Sequence, residues 1–137
     1  MLMLGGYAIQ YDTTATALLR DDRSYTNLHT LSAWTEVGMN FGKIQVGLFG
    51  GYTQNLGSWH NVANWTSPAS YYARGSNIHH LYRISPRVAY AVPKFKIALE
   101  GDYTAAAYGR EISPLALVSD LNTVSNIRVL LGVYYFF

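Results

Sequence analysis

From Leu31 to Phe41 the chain alternates strictly, with Leu31, Ala33, Thr35, Val37, Met39 and Phe41 on one parity and Ser32, Trp34, Glu36, Gly38 and Asn40 on the other. A period of two marks a strand with chemically different faces, and it excludes an amphipathic helix over this stretch. Gly42-Lys43 reads as a two-residue hairpin loop, after which Ile44, Val46, Leu48, Gly50 and Tyr52 alternate with Gln45, Gly47, Phe49, Gly51 and Thr53. Folding there sets Phe41 opposite Ile44, Met39 opposite Val46 and Val37 opposite Leu48, so that apolar meets apolar throughout. On the other face Trp34 falls opposite Gly51, where its ring can fill the space over the glycine.

A second hairpin repeats the pattern. Ile84–Val92 and Phe95–Ala105 flank a Pro93-Lys94 turn, which pairs Val92 with Phe95, Tyr90 with Ile97 and Val88 with Leu99. The same register places Arg87 opposite Glu100 and Ser85 opposite Asp102, with Arg83 one diagonal step away. An opposite-charge pair thus emerges from a register chosen on apolar residues alone. Pro86 removes a ladder donor, so a local irregularity is expected there.

Asn126–Phe137 alternates Ile127, Val129, Leu131, Val133, Tyr135 and Phe137 against Asn126, Arg128, Leu130, Gly132, Tyr134 and Phe136. Leu4–Tyr11 is a weaker first segment, giving six strands in all. The connections alternate in length at about eighteen, two, two dozen, two and eighteen residues, so short turns gather at one end and long loops at the other. The long connections hold the polar and breaker residues, including Asp12-Thr13-Thr14, Arg20-Asp21-Asp22-Arg23, Gln54–Asn64 and Ser67-Pro68. No linker interrupts residues 1–137, which read as a single β-barrel segment.

Composition narrows the class. Only 13% of the 137 residues are charged, against roughly a quarter in an ordinary soluble domain, and half are hydrophobic, which excludes a disordered chain. The absence of Cys excludes a disulfide scaffold, a thiolate zinc site and a cysteine nucleophile. A net charge of +2 gives no case for nucleic acid. Every apolar run is broken well before the ~18–20 residues of a transmembrane helix. Met-Leu-Met-Leu-Gly-Gly has no signal-peptide character, so an exported protein of this sequence is expected to have lost its beginning.

An antiparallel sheet with one apolar face can be a soluble sandwich or ligand-binding barrel with that face inward, or a membrane barrel with it outward. The outward reading is preferred. The polar parity carries Gly, Ser, Asn, Gln and pairable charges instead of a solvated Lys/Glu face. Aromatics close the apolar strips, with Phe41, Phe95, Tyr135 and Phe137 at the short-turn end and Tyr52, Tyr103 and Tyr11 at the other, as the girdles of transmembrane barrels do. The expected fold class is therefore all-β, an antiparallel up-and-down transmembrane β-barrel or the C-terminal portion of one. Single-chain bacterial barrels start at about eight strands, and six would leave edges open in lipid. The chain is thus expected to be the end of a larger barrel, to complete its ring with other copies, or to hide two strands within residues 54–79.

The ending resembles the terminal strand of Gram-negative outer-membrane barrels, which carry a final aromatic, an aromatic two residues earlier and a glycine five before the end; Phe137, Tyr135 and Gly132 match. Leu130 stands where that pattern prefers a polar residue. Phe49-Gly50-Gly51-Tyr52-Thr53-Gln54-Asn55-Leu56-Gly57, Tyr82-Arg83-Ile84-Ser85-Pro86-Arg87 and Asp102-Tyr103-Thr104-Ala105-Ala106-Ala107-Tyr108-Gly109 resemble the last strands of porin-like proteins of Bacteroidetes, the DcaP-like porins among them. The resemblance implies a porin-like channel in the cell outer membrane that passes small polar solutes. It also implies contact with outer-membrane lipid and lipopolysaccharide, recognition of Gly132, Tyr135 and Phe137 by the barrel-assembly machinery, and a homo-oligomer such as a trimer.

The expected lumen-lining charges are Glu36, Arg83, Arg87, Glu100, Asp102 and Arg128, three acidic and three basic. Charged lumen residues bias passage through a pore, and the same residues can form an ion-pair ladder that stiffens the wall. His79-His80, His60 and His29 do not read as a metal site, because adjacent strand histidines point to opposite faces and no carboxylate stands at ligand spacing. Ser32 and Ser70 lack a nucleophile motif, so no catalysis and no cofactor are expected. Asn64-Trp65-Thr66 matches a glycosylation acceptor by chance. Two other functions stay open: a structural or adhesive outer-membrane barrel with surface-binding loops, and a soluble ligand-binding β-barrel.

Overall fold

Both predicted tight turns form. Gly42 adopts a positive φ of 62° at the first central position of the loop between β2 (Tyr25–Phe41) and β3 (Ile44–Ser58), a conformation that favours glycine and matches the twist of the flanking strands. Pro93-Lys94 likewise joins β5 (Ile78–Val92) to β6 (Phe95–Ile112). The structure, a computed structural model, describes residues 5–9 and 24–137. The remaining elements are β1 (Gly5–Ile9), a 3-10 turn (Pro68–Ser70), β4 (Tyr71–Arg74) and β7 (Val118–Tyr135). The strands form one sheet in the order β4-β1-β2-β3-β5-β6-β7, and the all-β antiparallel class stands.

Cross-strand contacts match the predicted registers. Ser32 donates to Thr53 at 3.1 Å, and the Cβ position of Gly51 lies 3.6 Å from Cβ of Trp34, with the Phe49 ring also over it. Arg83 donates to Thr104 at 3.0 Å and Ser85 to Asp102 at 3.4 Å.

Three expectations are corrected. The described residues hold seven strands, not six, because Tyr71–Arg74 adds a short strand that pairs with β1 through Tyr7↔Tyr72 and Ala8↔Tyr71. The five long strands run 15 to 18 residues, beyond the ~9–11 that cross a membrane. β2 begins at Tyr25 and not Leu31, β5 at Ile78 and not Ile84, and β6 ends at Ile112 and not Ala105. β7 begins at Val118, eight residues earlier than expected, so the long connection before it shrinks to Ser113–Leu117. In the β6 extension alternation is lost because both faces are covered: Ala106 and Ala107 are consecutive and both buried. Finally, β5 passes unbroken through Pro86. The ring sits 3.7 Å from the Cβ position of Gly101, where a missing side chain leaves it room. Leu4, Gln10 and Tyr11 of the predicted first strand, and the loop motifs at 12–14 and 20–23, lie outside the described residues.

The chain divides into two compact units. Among the described residues the first comprises 5–9, 24–32, 53–81 and 106–123, and holds the long connection between β3 and β5. Its core is Ala8, Val62, Tyr71 and Ala116, with Leu28 and Ile112 packed against it. Loop backbone is tied down by Ser58 N to Leu115 O, Val62 N to Pro114 O and Ala63 N to Ile9 O, each 2.8 Å. Gly57, at φ 77°, is pressed against the Leu115 carbonyl, where no side chain fits. Tyr7 stacks on Tyr72 with ring centroids 5.0 Å apart, and Tyr25 meets Tyr7 edge-on at 5.3 Å.

The second unit comprises residues 33–52, 82–105 and 124–137, and holds the tight turns. Its apolar parity is exposed: Val37, Met39, Phe41, Leu48, Val88, Leu99, Val129 and Val133 all present much of their surface outward. Tyr82 and Tyr103 approach to 6.0 Å, and Tyr135 and Phe137 meet edge-on at 5.3 Å.

Candidate functional site: a charged recess on the polar face of the second unit

The polar parity of β2, β5, β6 and β7 gathers all six charges expected from the sequence into two connected groups. Asp102 centres the first. It is 5% exposed, and its Oδ2 accepts from Arg128 Nη2 at 2.8 Å while its Oδ1 lies 3.2 Å from Arg83 Nε. Thr104 and Ser85 also donate to Oδ1, at 3.2 and 3.4 Å. One buried carboxylate thus holds two guanidiniums from two different strands, with its lone pairs filled by charge-assisted bonds.

Arg87 centres the second group, and here the pairing differs from the expectation. The sequence register makes Glu100 its partner, yet the short bond, 2.7 Å, runs from Arg87 Nη2 to Glu36 Oε1; Glu100 Oε2 stands 4.0 Å from Nη1. The reason is Gly47 on the intervening strand. Arg87 Nη2 passes 3.4 Å from where a Cβ would sit, so a glycine at that place lets the guanidinium lie across β3 and reach β2. Glu36, Gly47, Phe49, Arg83, Ser85, Arg87 and Glu100 line a recess of about 210 Å³.

Sequence reasoning named the charges but missed Gly47 as the clearance and Thr104 as a bridge between Arg83 and Asp102. Composition offered no signal for Gly47, because the β3–β5 register follows from a long connection. Thr104 was readable as the residue opposite Arg83. Of the residues expected to form an assembly signal, Tyr135 and Phe137 pack on each other, and the Cβ position of Gly132 lies 3.0 Å from the Tyr134 ring.

Against the expectation that adjacent strand histidines stay apart on opposite faces, His79 and His80 meet, with Nδ1 atoms 2.9 Å apart in a shared hydrogen bond. His29 stacks on Trp59 at 4.5 Å. Among the described residues no three His, Asp or Glu side chains gather as metal ligands. Ser32 is engaged with Thr53, and Ser70 donates to the Asn64 carbonyl.

Fold and site together define an all-β sheet protein with one exposed apolar face and one ion-paired polar face. Comparison with protein-family models, curated proteins and solved structures gives no match.

Proposed function

We propose that the chain forms wall of an outer-membrane, porin-like channel for passive passage of small polar solutes, with lipid and lipopolysaccharide against its apolar face. The observation that carries this reading is the chemistry of the second unit. Ile127, Val129, Leu131 and Val133 are 61–73% exposed, whereas Asp102 on the opposite parity is buried by its ion pairs. A soluble sandwich or ligand-binding barrel would cover such an apolar face with a second layer. A strand wall in a bilayer turns it to lipid and keeps its charges on the water-filled side. The girdle-like pairs Tyr82 with Tyr103 and Tyr135 with Phe137 support the same orientation.

The test is made on membranes of cells that produce the protein. It is expected to sediment with them, to resist extraction by high salt, and, once extracted in detergent, to give ohmic single-channel currents in planar bilayers. A protein left in the aqueous fraction, or a membrane protein that never conducts, ends the channel reading.

A further inference from the structure

The recess contains two carboxylates and two guanidiniums, so it offers no net charge to attract a simple ion. Its four charges are unequally engaged. Arg87 and Glu36 hold each other at 2.7 Å. Arg83 uses only its Nε, on Thr104 and Asp102, and its terminal Nη pair has no protein partner among the described residues. Glu100 has Arg87 at 4.0 Å, beyond hydrogen-bond distance. Two groups of opposite sign are therefore left to bind from adjacent strands: a bidentate donor fork at one end and a carboxylate at the other.

We infer that this recess binds a small zwitterion of dipeptide length, its carboxylate on the Arg83 fork and its ammonium on Glu100. The inference rests on the channel reading and names the class of solute that the wall holds. Charge pattern selects the class. A lone anion drawn to Arg83 meets Glu36 and Glu100 in the same space, and a lone cation drawn to Glu100 meets both arginines. A molecule carrying both charges satisfies both ends, and the guanidinium fork suits a planar carboxylate.

Geometry selects the length. Arg83 lies opposite Thr104, four residues along β6 from Glu100, which is two pleats or ~13 Å along the strand. The reach of the two side chains shortens that span to one bridged by charges several bonds apart, as in a dipeptide. The single carbon between the charges of an α-amino acid is too short. Phe49 provides an apolar wall, and the recess of about 210 Å³ exceeds the ~30 Å³ share of one water several-fold.

The probes are glycylglycine, its neutral analogue N-acetylglycinamide, the anion N-acetylglycine and the cation glycylglycinamide. Equilibrium dialysis of labelled probe against the detergent-extracted protein reads the site; partial block of the potassium chloride current in planar bilayers reads the channel. Glycylglycine is expected to bind and to block, with the other three at least about tenfold weaker, the equivalent of ~1.4 kcal/mol. Glu100→Gln and Arg83→Lys are expected to weaken glycylglycine binding by a similar factor, the lysine variant keeping the charge and losing the fork. Equal binding of the neutral analogue, unchanged binding in both variants, or no binding of glycylglycine overturns the inference. Binding without any conductance leaves the site standing and removes the channel.

Discussion

Arg87 bonds Glu36 at 2.7 Å across a glycine, while Glu100, its neighbour on the adjoining strand, stands 4.0 Å away. The guanidinium is hydrogen-bonded to Glu36 and has Glu100 only at ion-pair distance, so loss of either carboxylate leaves it the field of the other. Glu36→Gln and Glu100→Gln are each expected to shift the reversal potential modestly toward anions. The double variant, which frees Arg87, is expected to shift the reversal potential by more than the sum of the two single shifts, because charges that share a partner do not act additively. The excess grows as salt is lowered, because screening weakens. Strictly additive shifts in a salt gradient would show that Arg87 does not mediate between the two.

Asp102 ties strands β5, β6 and β7 together through Arg83 and Arg128. Its carboxylate is 5% exposed, but its partners Arg83 and Arg128 are 29% and 57% exposed, so both can turn to water if it is lost. Asp102→Asn is therefore expected to cost about 2 kcal/mol, less than the ~3–5 kcal/mol of a fully buried pair. Urea unfolding of the protein in lipid vesicles measures it. A cost below ~0.5 kcal/mol would reduce the network to a solvated surface pair.

The hairpins were legible because a buried or lipid-facing side demands period two and a two-residue turn fixes register to the residue. Trp34 over Gly51 and Arg83 beside Thr104 follow from those two facts alone. The extension of β6 was not legible, since Ala105, Ala106 and Ala107 are covered on both faces and leave no alternation to read. Tyr71–Arg74 was hidden because four residues flanked by a 3-10 turn and a glycine carry too short a pattern. Arg87 with Glu36 was hidden for another reason: no local rule sets the register between strands joined by a long connection, and the contact depends on an absent side chain at Gly47.

Tyr71 gives a pH test of the first unit. Burial pushes its phenol up to about 12 from 10.0, and the neutral hydroxyl donates to the Trp65 carbonyl at 2.8 Å. A folded-state value above the unfolded one contributes stability that is complete below pH 10 and lost as pH rises through 10 toward 12. The gap of about two pH units corresponds to roughly 2–3 kcal/mol. Tyr71→Phe is expected to lose up to ~1 kcal/mol at neutral pH with the hydrogen bond. The stability difference between parent and variant should then narrow and reverse between pH 10 and 12 in chemical unfolding. A difference that stays constant across that range would place the phenol in contact with water.

Val129 separates the membrane reading from its soluble rival. It lies centrally in the part of β7 that belongs to the second unit, and it is 67% exposed, between Ile127 at 73% and Leu131 at 68%. In water an exposed valine changes to arginine with little consequence, within about 0.5 kcal/mol for a surface substitution. Against lipid the same change puts a guanidinium in hydrocarbon, at about 2–4 kcal/mol near the midplane. Asn126→Arg supplies the control, because Asn126 has the polar parity of Arg128 on the same strand and would face the aqueous side. Unfolding in lipid vesicles is expected to show Val129→Arg destabilised by at least ~2 kcal/mol relative to Asn126→Arg. Moving the charge along the strand to Val133, toward the turn end, should reduce the cost, since the penalty falls toward the interface. Equal stabilities for Val129→Arg and Asn126→Arg would mean that water, not lipid, covers this face.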